Sequence, residues 1–289
     1  MQLDRNFPAS TTLARLETRW THPWLVAGLS HWGQHHAEIG LPNQDAFAFG
    51  AVGKTTWLAL ADGVSSAPAS GEGAAFVTAA FGAEIESRLR RRWPVSEEHV
   101  RNALDTVRLR LTHHAMQEQQ PLTDYATTLL VAVLSENSVT VAKIGDGYIL
   151  AVERQRRDSV LVPLAENGMQ REGGEVIDLT HPDWRRYLAV RHIADRQAAG
   201  IVTVALDSDG CSRYFVRTAD AAAPNDRRAV LNADLIDQHF AESLTKLGPR
   251  CLFVYLANLM GNRQFVDEGD DRTLLIATSL MTEAPHAGI

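Results

Sequence analysis

Apolar residues in this chain follow two rhythms. Short apolar runs bounded by turn residues predict strands at residues 25–29, 46–49, 56–61, 127–134, 139–144, 148–152, 160–164, 202–206 and 273–278. A four-residue rhythm separates some of them. Val77, Phe81, Ile85 and Leu89 fall on one face of a helix that starts with Ser70 as N-cap. Val100, Leu104, Val107 and Leu111 form the stripe of a second helix, capped by Ser96 with Glu97 in its first turn. Two more helices are predicted near 233–247 and 250–260. Residues 1 to about 23 read as a lead-in. Residues 167 to about 199, polar and interrupted by Gly173-Gly174 and Pro182, read as a loop-rich insertion with one short helix.

The turns give the pairing. Glu136-Asn137 and Asp146-Gly147 predict tight hairpins, and strands this closely spaced pair antiparallel. The order is strands, two helices, strands, two helices, strand. That is an α+β fold of antiparallel sheets packed together with helices outside. No linker rich in Pro, Gly or Ser divides the 289 residues, which read as a single domain.

Composition narrows the function only a little. Lys and Arg total 28 against 35 Asp and Glu, a net charge of −7, which argues against a nucleic-acid partner. The basic run Arg88-Leu89-Arg90-Arg91-Arg92 closes a predicted helix, where cations suit the dipole. Two cysteines make no disulfide framework. There is no basic segment followed by an apolar run, and no apolar stretch of the roughly 18–20 residues a membrane span needs. The expectation is a cytoplasmic protein with no membrane partner.

Candidate chemistry lies at the strand ends. Asn43-Gln44-Asp45 leads into one strand, Ala61-Asp62-Gly63 ends another, Ser208-Asp209-Gly210 ends a third, and Asp270-Asp271 leads into the last. An Asp-Gly pair alone is a common turn, chosen for backbone reasons. Four acidic turns at the edges of apolar strands can converge on one end of the sheets. Converging carboxylates repel one another, and a hard divalent cation with oxygen ligands removes that penalty.

At these residues the chain resembles the type 2C metal-dependent protein phosphatases, especially bacterial members. The match is a set of ordered motifs: Ser30-His31 and Pro42-Asn43-Gln44-Asp45-Ala46; Ala61-Asp62-Gly63-Val64-Ser65-Ser66 with Ser70 and Gly73-Ala74-Ala75; Ala126-Thr127-Thr128-Leu129; Ile144-Gly145-Asp146-Gly147; Asp207-Ser208-Asp209-Gly210; and Asp270-Asp271-Arg272-Thr273. They run from about residue 25 to 279. The resemblance implies a four-layer αββα sandwich, two packed antiparallel sheets flanked by pairs of helices. It implies Mg²⁺ or Mn²⁺, two ions and in many members a third. It also implies phosphoserine or phosphothreonine protein substrates, and with them a possible partner kinase. Carried over by position, Asp62, Asp209 and Asp270 form the catalytic core. Asp62 bridges two metals, Asp209 and Asp270 bind the first, Asp45 and the Gly63 carbonyl serve the second, and Asp146 helps hold the third.

The departures bear on substrate. The family's phosphate-gripping arginine lies a few residues before the Asn-Gln-Asp motif, and here that stretch is Glu38-Ile39-Gly40-Leu41-Pro42. His31, His35 and His36 are candidate substitutes, and each reads more simply as a surface or turn histidine. The missing arginine motivates a rival reading, a pseudophosphatase kept as a binding or regulatory module. A second rival is the literal Cys-x5-Arg spacing from Cys211 to Arg217, but Tyr214, Phe215 and Val216 are too bulky for a phosphate-cradling loop.

Overall fold

The computed structural model describes residues 13–21, 23–155, 158–163, 171–172, 175–211, 216–218, 229–231 and 269–279. Two antiparallel sheets face each other. One has six strands in the order β1 (Leu13–Thr21), β2 (Trp24–His31), β15 (Arg272–Ser279), β12 (Ile201–Asp207), β7 (Tyr148–Gln155) and β8 (Asp158–Pro163). The other has five, in the order β11 (Ala189–Ile193), β6 (Val139–Ile144), β5 (Leu129–Leu134), β4 (Thr55–Asp62) and β3 (Asp45–Val52). Two small ribbons pair β9 (Arg171–Glu172) with β10 (Glu175–Val176) and β13 (Val216–Thr218) with β14 (Ala229–Leu231). The described helices are α1 (Gln34–Ile39), α2 (Ser70–Arg90), α3 (Glu97–Gln117) and α4 (Trp184–Tyr187).

The period-2 geometry of strands explains the layering. On β4, Leu58 and Leu60 enter the layer between the sheets, while Trp57, Ala59 and Ala61 face the other way. β5 does the same, with Leu130, Ala132 and Leu134 between the sheets and Leu129, Val131 and Val133 opposite. The opposite face is covered by Val77, Phe81 and Ile85 of α2 and by Val100, Leu104, Val107 and Leu111 of α3. These are the two predicted stripes, and both helices stand where expected. The α+β expectation therefore holds, with two antiparallel sheets and helices outside. The predicted helices near 233–247 and 250–260 lie outside the described residues.

Four local expectations are corrected. The lead-in contains β1, paired along β2 from Thr21↔Trp24 to Leu13↔His31. The insertion has its short helix, α4, but also β11, which joins the five-stranded sheet at its edge beside β6. Asp146-Gly147 is not a hairpin turn, because β6 and β7 belong to different sheets. The chain crosses between them here, and Gly145, at φ +107°, takes a backbone conformation that residues with a Cβ rarely adopt. Finally, Ser70 is not the N-cap of α2. Ala69 holds that position, and the Ser70 hydroxyl accepts a hydrogen bond from Gln44 Nε2 at 2.7 Å.

Candidate metal centre

The β3–β4 register places Asp45 directly opposite Asp62, so one hairpin delivers two carboxylates to the same sheet edge. The next strand fixes the Asp62 backbone. Its N–H donates to Thr128 Oγ1 at 2.9 Å, and its carbonyl accepts from Thr128 N at 2.8 Å and from Thr127 Oγ1 at 3.0 Å. That is the local meaning of Ala126-Thr127-Thr128. From the other sheet, Ser208 stands between β12 and β15. Its N–H donates to the Thr273 carbonyl at 3.0 Å, and its hydroxyl accepts the Thr273 N–H at 2.9 Å. The same hydroxyl donates to Asp45 Oδ2 at 2.8 Å. One serine thus ties the strand ends of both sheets together.

Asp271 is a second tie, to which the sequence motif assigned no role. Its buried carboxylate accepts the N–H groups of Gly33 and Gln44, each at 2.6 Å, and Oδ2 also lies 3.1 Å from His36 Nδ1. His36 Nε2 is 3.8 Å from Asp270 Oδ1. Potential ligand atoms of His36, Asp270 and Asp271 all lie within 4.8 Å of one another. Both Asp271 oxygens already accept backbone donors, so Asp271 braces the group. Gly210 sits against this brace, and a Cβ there would collide with the Asp271 carbonyl oxygen. His31 and His36 are buried and only His35 is exposed, which corrects the surface or turn reading for the first two. Burial, then Arg272, lowers the His31 pKa to about 4.

A cleft of about 330 Å³ opens at this edge. Asp62, Gly63, Ser65, Ser66, Asp146, Asp209 and Asp270 line it, with Thr128 and Val176. Burial raises the Asp62 carboxyl well above its ordinary pKa, and the charges of Asp45, Asp209, Asp270 and Asp146 add to the rise. Asp45 is pushed up to about 8, by burial first and then by Asp271, while the Thr273 and Ser208 hydroxyls hold it down. Asp270 is raised as well, chiefly by burial. Burial also raises Asp207 to about 8 and lowers Lys143 to about 8. Asp45 Oδ1 is buried with no hydrogen-bond partner among the described residues. An orphaned carboxylate oxygen amid like charges is the donor set a hard divalent cation takes. The structure therefore brings Asp45, Asp62, Gly63, Asp146, Asp209 and Asp270 to one place. Cys211, by contrast, is buried, and burial raises its thiol pKa well above the ordinary value, the opposite of an activated thiolate.

The family model for protein phosphatase 2C matches residues 32–247, well over half of the chain. The chain belongs to the protein phosphatase 2C family. Among curated proteins, none matches it. Solved structures of phosphatase 2C type share its fold. A bacterial serine phosphatase aligns with TM-score 0.59 at 18% identity, over 90% of this chain and 99% of that one. The serine-threonine phosphatase 2C of Toxoplasma gondii gives TM-score 0.61 at 13% identity, over 93% and 99%. The serine/threonine phosphatase Stp1 of Staphylococcus aureus gives 0.52 at 17%, over 96% and 99%. As a phosphatase 2C chain it has no arginine among residues 38–42, where α1 ends at Ile39 and Gly40 caps it.

Proposed function

We propose that this chain is a metal-dependent protein serine/threonine phosphatase working at the cleft around Asp62. One observation carries the reading: the Asp62 carboxyl shares its surroundings with Asp45, Asp209, Asp270 and Asp146, acids from turns far apart in sequence. Asp62 would lie between two ions, Asp209 and Asp270 would hold one, Asp45 and the Gly63 carbonyl the other, and Asp146 a third and weaker one. The all-oxygen donor set suits Mg²⁺ or Mn²⁺. Bound there, such ions supply a water made nucleophilic near neutral pH and positive charge for the phosphoryl oxygens.

The chain's own residues do the positioning. Thr127 and Thr128 fix the Asp62 backbone, and Ser208 orients the Asp45 carboxylate. The Val64 carbonyl accepts the Ala67 N–H at 2.9 Å, closing a turn that leaves Ser65 and Ser66 exposed on the cleft wall. Their hydroxyls can donate to phosphate oxygens where the family uses a guanidinium.

Hydrolysis of a chromogenic phosphate ester should require Mn²⁺, stop with a chelator and be lost in Asp62→Ala and Asp209→Ala. Turnover that ignores the chelator, or survives in both variants, would overturn the assignment. Release of phosphate from phosphoserine and phosphothreonine peptides tests the substrate class. A second reading, a phosphatase 2C fold kept as a binding module, is favoured by the absence of a cation in Glu38–Pro42. The same assay separates them, since a binding module would keep Mn²⁺ uptake without turnover.

A further inference from the structure

Lys143 is only 1% exposed. On β6 it follows Val139 and Val141 at a spacing of two, and both of those face the layer between the sheets. Its side chain enters the same layer, at the end of the strand that leads to Asp146. Its Nζ lies 5.2 Å from the centre of the Tyr148 ring, across the crossover on β7. The acids whose charges act on it are Asp207 and Asp146.

Asp207 is itself fixed. Its Oδ1 accepts the Tyr148 N–H at 2.8 Å, and a Cβ on Gly147 would collide with its carbonyl oxygen. Its Oδ2 is buried with no hydrogen-bond partner among the described residues. An ammonium in an apolar layer is unfavourable unless opposite charge offsets it, and the same holds for a buried carboxylate. The two sit on different sheets. Lys143 precedes Asp146 by three residues, and Asp207 precedes Asp209 by two.

We propose that Lys143 is a positioning residue that acts as a built-in counter-cation of the acidic site. It offsets Asp207 and the Asp146 side of the cleft, pins the β6–β7 crossover to the end of β12, and weakens the hold of the site on divalent ions. The inference rests on the metal reading above. At about 10 Å and an effective dielectric near 20, a fixed positive charge lowers a divalent ion's affinity a few hundred-fold without salt, and about tenfold once roughly 0.1 M salt screens it.

The test is Mn²⁺ titration, followed by electron paramagnetic resonance of the free ion, on folded wild type, Lys143→Met, Asp207→Asn and the double variant. Lys143→Met should bind Mn²⁺ about tenfold tighter, because a repelling charge is gone. Asp207→Asn should bind more weakly by a smaller factor, and the double variant should fall between Lys143→Met and wild type. A purely structural role would weaken both single variants alike. Lys143→Met binding no tighter than wild type would overturn the proposal. If that variant does not fold, Asp207→Asn decides, and unchanged or tighter binding there would overturn it. Wild type that takes up no Mn²⁺ would overturn the metal reading and this inference together. Wild-type uptake with unmoved variants would overturn this inference alone.

Discussion

Asp271 accepts N–H groups from Gly33 and Gln44 and faces His36, and these come from the end of β2, the start of β3 and α1. Charge-assisted bonds of this kind are stronger than neutral ones, about 1.5–3 kcal/mol each. Asp271→Asn keeps the shape but turns an amide N–H₂ towards at least one of those donors. It should lower stability by about 2 kcal/mol, read from the urea midpoint, and weaken Mn²⁺ binding by misplacing Asp270 and Asp45. Ser65 and Ser66 are the opposite case, exposed groups with nothing to hold up. Ser65→Ala and Ser66→Ala should leave the urea midpoint alone and lower kcat/KM on a phosphopeptide by about three- to tenfold each, the worth of one hydrogen bond. Equal kcat/KM in both would mean that the phosphate is held elsewhere.

At the scale of elements, α3 was the most legible piece. Its stripe is regular, and Ser96 Oγ accepts the His99 N–H at 3.3 Å as an N-cap should. Ser96→Ala should cost about 1 kcal/mol in urea unfolding with an unchanged slope. β1 was also legible in principle. Arg15, Glu17 and Arg19 alternate with Leu16 and Trp20, a strand signal that reading it as a lead-in passed over. β11 gave little to read, because Arg191 and His192 break its apolar run, which an edge strand tolerates. The β6–β7 crossover was misread for a physical reason. Asp-Gly marks a turn, but whether the chain returns to the same sheet depends on which partners the next strand finds far away. The acidic site had the same limit. Each Asp turn was visible, but the Asp45–Asp62 pairing and the Ser208 tie are set by register and by contacts over 163 residues of sequence. Asp271 was visible in the Asp270-Asp271 motif but was given no role, and Lys143 gave no signal, since a second acid beside Asp270 and one lysine in a strand look ordinary until burial is known.

For the whole molecule, the acidic cluster couples folding to protons and metal. Asp45 and Asp207 titrate near 8 in the folded protein instead of at their ordinary 3.8. A carboxyl raised on folding contributes stability that is fully present below its unfolded value and is lost as pH rises through the folded one. Metal-free protein should therefore lose stability between about 4 and about 8. His31 works against this at the acid end. Lowered from 6.5 to about 4, it removes stability as pH falls through that range. Lys143, lowered from 10.5 to about 8, adds pH dependence only above about 8. Between 6.5 and 8 the carboxylates stand clear of both. In chelator, the melting temperature should fall across that window. With saturating Mn²⁺ the fall should shrink or reverse, because ligands must shed their protons to bind the ion and bound ion stabilises the fold by mass action. The gap between the two melting curves should thus widen with pH. A chelator-treated protein whose melting temperature rises from pH 6.5 to 8, or a gap that stays constant, would mean that these carboxyls are not buried in the folded protein without an ion.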